Sequence, residues 1–171
     1  MKMTKSLVDT PKSHIACPAG TRCLFILAPA LSIALTLLAY WVASPWIPDH
    51  VAIHVGPDGV GYGSALRMFV TCCIIATVAF IVGGVTARGF FVSGHWYQIE
   101  KSIVVSTESF AYAVLGVGLG SVMSTLGQEP NGSNTQSAGI GLLSFVLVFI
   151  ASATVYVLAL PKGRFEELDT A

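Results

Sequence analysis

The stretch Leu24–Ala43, LFILAPALSIALTLLAYWVA, runs for 20 residues without a charge. A helix rises ~1.5 Å per residue, so crossing a ~30 Å hydrocarbon core takes about 20 apolar residues. Backbone groups in lipid have no water to pair with, so a segment of this kind spans as a helix. Three further stretches qualify: Leu66–Ala87, charged only at Arg67; Val104–Leu126, with one acid, Glu108; and Gly139–Leu160, with no charge. The expected fold class is an all-α integral membrane protein, a four-helix transmembrane bundle.

The whole composition points the same way. Of the 171 residues 54% are hydrophobic and 11% charged, where a soluble domain carries roughly 25% charged residues. The formal net charge is zero, which leaves no concentrated basic surface for nucleic acid. The first span exceeds the ~7–15 residues of a signal-peptide core, and "WVASPW" after it is a weak cleavage site, so it reads as a retained anchor.

Basic residues set the orientation. Lys2, Lys5, Lys12 and Arg22 precede the first span, Arg88 and Lys101 fall between the second and third, and Lys162 and Arg164 follow the fourth. The positive-inside rule places these segments (1–23, 88–103 and 161–171) in the cytoplasm of a bacterial plasma membrane. Loops 44–65 and 127–138 then face outward, and Arg67 snorkels to the outer interface. Tyr40, Trp41, Trp46 and Tyr62 suit an outer aromatic belt; Phe90, Phe91, Trp96 and Tyr97 suit an inner one. The tail after Pro161, with its acidic end FEELDTA, reads as disordered or loosely membrane-bound. Asn131 opens an NGS sequon within an outer loop that reads as flexible.

The outward loop between the first two spans is dense with shape-fixing residues: PWIPDHVAIHVGPDGVGYGS, Pro45–Ser64. Pro45 and Pro48 restrict the chain. "PDG" at Pro57–Gly59 is a turn signal, and "HVAIHV" alternates with β-branched residues, so a short extended piece fits there. The expectation is a structured extracytoplasmic cap.

On Pro48, His54, Gly56, Gly59, Tyr62, Gly63 and Ser64 this loop resembles the N-terminal domain of unknown function shared with SdpI-like toxin-immunity proteins of bacteria. Ala52, Val55 and Gly61 depart from that pattern, which carries Pro, an aromatic residue and Asp there. The resemblance covers about residues 24–90. It implies a non-catalytic membrane protein acting in toxin immunity or envelope-stress sensing.

Within the loop, His50 and His54 stand four apart and would share a face on a helix or on a strand. With Asp49 or Asp58 they are metal-ligand candidates, but no third His or Cys is near in sequence and a zinc site takes about four ligands. No metal or other cofactor is expected. Glu108, after Ser106 and Thr107, sits in the first turn of the third span as predicted, where a carboxylate favours a helix N-terminus. The sharper reading of an intramembrane acid is a proton or ion role. Gly116, Gly120 and Ser124 line one face of the third span, and Ala79, Gly83 and Ala87 one face of the second; such stripes let helices approach closely in lipid. They suit packing inside the bundle, against another membrane protein or against a second copy. Cys72 and Cys73 fall mid-span as packing residues, and Cys17 with Cys23 forms only a lone C-x5-C. No Walker loop, H-E-x-x-H or nucleophile elbow occurs, and enzymatic activity is not expected. An accessory subunit of a larger membrane complex and a small metal- or proton-linked transporter are the alternatives.

Overall fold

The computed structural model describes residues 21, 23–127 and 136–165. The expectations for Cys17, Arg22, Asn131 and all but the first residue of FEELDTA lie outside the described residues. Among those described, four helices are long and apolar enough to cross a membrane, with candidate spans Cys23–Trp46, Ala65–Ser93, Gln98–Met123 and Ser137–Ala159.

Helix α1 (Ala28–Ala43) follows a π-helical turn, Cys23–Leu27, and carries Pro29 in its first turn, where a missing N–H costs nothing. A 3-10 turn, Ser44–Trp46, ends it. Helix α2 (Ala65–Ser93) starts where Ser64 Oγ accepts a bond from the Arg67 N–H at 3.4 Å. It stops at Gly94, whose φ of 71° is the left-handed conformation that closes helices. Helix α3 (Gln98–Met123) begins where Glu100 Oε2 accepts from the Tyr97 backbone N–H at 3.2 Å. Helix α4 is Gln136–Ala159. These caps lie beyond the apolar runs: α2 runs on to Ser93, past Ala87, and α3 starts at Gln98, ahead of Val104.

Helix α3 is the hub. It packs closely on both α2 and α4, whereas α1 touches the others at few points. Missing side chains make this possible. A Cβ on Gly116 would lie 3.0 Å from Val148 Cγ2, and one on Gly120 would strike the Ser144 hydroxyl, so that stripe faces α4. A Cβ on Gly118 would lie 2.9 Å from Cys72 Cβ, on the α2 side. Ser124 stands at the end of α3, its hydroxyl donating to Ser121 O at 2.7 Å. Ala79 packs against a core of Ala76, Phe80, Ala111, Val114 and Leu115, and Ala87 belongs to a second core with Phe91, Trp96, Val104, Val105, Tyr156 and Leu160.

The end of the bundle holding Gly94 differs from expectation. Trp96 and Phe91 are not lipid-facing belt residues: they are 1% and 4% exposed and stack with centroids 4.3 Å apart. Trp96 Nε1 donates to Pro161 O at 3.1 Å, so burial leaves its N–H satisfied. Nor is the chain after Pro161 loose as far as Phe165. The Arg164 N–H donates to Trp96 O and the Gln98 N–H to Arg164 O, both at 3.0 Å. The Arg164 guanidinium donates to Gly94 O and lies 5.5 Å from the Tyr97 ring centroid.

The segment joining α1 to α2 is a β-hairpin, so a two-stranded sheet joins the expected all-α architecture. Strand β1 (His50–Gly56) pairs antiparallel with β2 (Gly59–Ser64). Pro57 presets one corner of the turn and Gly59 supplies a φ of 117° that side chains resist. The hairpin is tied down at its base. The Ala65 N–H donates to Asp49 O at 3.0 Å, Val51 and Ala52 are 1% and 3% exposed, and β1 contacts α4.

Candidate functional site

Two places concentrate polar chemistry. The first is inside the bundle. Because α3 begins at Gln98, Glu108 is not in its first turn; it lies about 15 Å along the helix axis at ~1.5 Å per residue. The position at a helix N-terminus is therefore corrected: Glu108 is 0% exposed and cannot reach an interface. Its carboxyl lies on Gly83 of α2, which leaves it room; a Cβ there would lie 2.9 Å from Glu108 Cδ. Tyr156 of α4, 1% exposed, closes the other side.

The Tyr156 hydroxyl has one proton and two acceptors within reach: Leu24 O at 2.9 Å and Glu108 Oε2 at 3.3 Å. The hydroxyl donates to one or the other, and no cation among the described residues pairs with the Glu108 carboxyl. Glu108 Oε1 and Ser109 Oγ are buried without a hydrogen-bond partner. The bond to Leu24 O falls in the π-helical turn, so this cluster also anchors the start of α1 to α4.

Sequence reasoning missed Tyr156, Ser109 and Lys101. Lys101, expected in a cytoplasmic loop, is 7% exposed inside α3. Its Nζ donates to Val157 O at 2.9 Å and Leu160 O at 3.2 Å. These are carbonyls at the end of α4 that have no partner in their own helix, where a cation is also favoured by the helix dipole. The one signal for Tyr156 was a lone phenol near the end of an uncharged span.

The second place is the hairpin. His50 pairs with Ser64 and Ala52 with Tyr62, but His54 pairs with Gly61. Ile53 is therefore an extra residue in β1, and the one-residue shift moves everything after it to the opposite face. The two histidines do not share a face, so the candidate ligands His50 and His54 are not set as a chelating pair; both are exposed. Among the described residues no group of three or more His, Cys, Asp or Glu could hold a metal. The motif residues of the loop serve its shape. The bulged Ile53 lies over Gly63, where a Cβ would lie 2.7 Å from its Cδ1, and the His54 ring lies over Gly56, where a Cβ would lie 2.7 Å from Nε2. Pro48 is half-buried ahead of β1, Ser64 caps α2, and Asp58 is exposed at the turn. Trp46, Ile53 and Tyr62 are 65%, 54% and 46% exposed.

No protein-family model, curated protein or solved structure matches this chain.

Proposed function

We propose that this chain is a non-catalytic multi-pass membrane protein of SdpI-like type, acting in toxin immunity or envelope-stress sensing, with its hairpin as the recognition surface. The observation that carries this reading is the hairpin's construction. Its base is buried and bonded to α2, the bulge with Gly56 and Gly63 fixes where Ile53 and His54 stand, and Tyr62 is exposed on the other face. Exposed aromatic and branched side chains held on a tied-down scaffold suit an interaction site. The basic-residue distribution supports a hairpin outside a bacterial plasma membrane with both termini in the cytoplasm. The test is photo-crosslinking in native membranes from a reactive residue at Tyr62, with one at exposed Leu158 on α4 as the control. A partner captured from the hairpin alone supports recognition there. Capture from Leu158 alone turns the reading to an accessory subunit held by its helix faces.

A second reading, proton- or ion-linked transport, is favoured by the buried Glu108 with its orphaned Oε1. Glu108→Gln keeps a side chain of the same shape that cannot carry a proton. On this reading it abolishes proton-coupled uptake in vesicles at unchanged protein level, whereas on the recognition reading the variant behaves like the parent.

A further inference from the structure

Helix α1 meets α2 firmly near the hairpin, where Tyr40 stacks on Phe69 with centroids 4.1 Å apart. Toward the other end the two helices part around a crevice of about 790 Å³, a volume within the ~300–1,000 Å³ of small-molecule sites. Phe25, Pro29 and Ile33 form one wall and Phe80, Gly84 and Val85 the other, and Arg88 lines it one turn before its end at Val92.

We propose that this crevice holds one acyl chain of an anionic phospholipid, whose headgroup phosphate is bound by the Arg88 guanidinium. Three observations argue for that occupant. The walls away from Arg88 are nearly all apolar, which suits a hydrocarbon chain and nothing charged. Arg88 is exposed, and among the described residues no acidic side chain pairs with it. A guanidinium presents planar paired donors that match phosphate. Along α2 the lining runs from Thr77 to Val92, about 22 Å at ~1.5 Å per residue, with Arg88 one turn from that end and about 16 Å from Thr77. The positive-inside orientation puts Arg88 in the cytoplasmic leaflet, where anionic lipids attract basic side chains.

The proposal is tested by native mass spectrometry on the delipidated full chain in mild detergent. It is titrated in turn with phosphatidylglycerol and phosphatidylethanolamine of identical chains. The wild type is expected to retain phosphatidylglycerol about fivefold better, the worth of one basic side chain at an anionic lipid surface. Arg88→Gln should erase that preference, while Arg67→Gln, at the other end of α2 and away from the crevice, should leave it intact. Val85→Trp fills the crevice from a side chain that is 68% exposed, so the core is untouched; it should lower retention of both lipids. Equal retention of the two lipids by the wild type, an unchanged preference in Arg88→Gln, or undiminished binding in Val85→Trp overturns the proposal. So does a stoichiometric polypeptide adduct that Val85→Trp displaces.

Discussion

Replacing Gly83 by alanine probes the packing of the buried acid directly. The new methyl carbon would sit 2.9 Å from Glu108 Cδ and 3.2 Å from Cγ, closer than carbon atoms tolerate. Neither partner has space to retreat, because Glu108 is 0% exposed and Gly83 is buried in the α2–α3 contact. Overpacking of this kind costs about 1–3 kcal/mol. Alanine recovers ~1 kcal/mol of helix propensity over glycine, leaving a net loss of up to about 2 kcal/mol. At about 2–4 °C per kcal/mol for a chain of this size, Tm should fall by up to about 8 °C. The informative assay is a double-mutant cycle, thermal unfolding in detergent of Gly83→Ala with and without Glu108→Ala. Glu108→Ala removes Cγ and Cδ, so in that background Gly83→Ala should be neutral or slightly stabilising. An equal loss in both backgrounds would refute the placement of Glu108 against Gly83.

Two further substitutions have local readouts. Lys101→Met strips the bonds to Val157 O and Leu160 O and should cost about 1–3 kcal/mol, seen as faster hydrogen exchange in the last turn of α4 and in residues 161–165. Gly59→Val places a branched side chain at a φ of 117° and should cost about 1–3 kcal/mol; limited proteolysis should then cut the hairpin while the four helices stay protected.

The four helices were legible because apolar runs of this length have few other fates. Their ends were not. Ser93 and Gln98 lie outside the apolar stretches, and Gly94 and Glu100 stop and start helices by local bonding that hydropathy does not register. That error moved Glu108: a helix taken to begin at Val104 puts the acid at its mouth, and one that begins at Gln98 puts it deep in the bundle. In the hairpin, alternation and the Pro57–Gly59 turn were readable. The bulge at Ile53 was not, because an extra residue leaves no mark in composition, yet it decides that His50 and His54 face apart. Lys101 and Tyr156 were hidden for another reason. Their partners are 56 and 48 residues away, and a long-range contact of one side chain has no local signature.

The proposed recognition role requires the hairpin to stand outside the cell. Labelling of single cysteines in intact cells tests this most directly, in a chain whose four native cysteines are replaced by alanine. Asp58→Cys, exposed at the hairpin turn, should react with a membrane-impermeant maleimide. Lys162→Cys, at the opposite end of the bundle, should react only after permeabilisation. Labelling of Lys162→Cys with protection of Asp58→Cys would contradict the account, because it would turn the recognition surface to the cytoplasm.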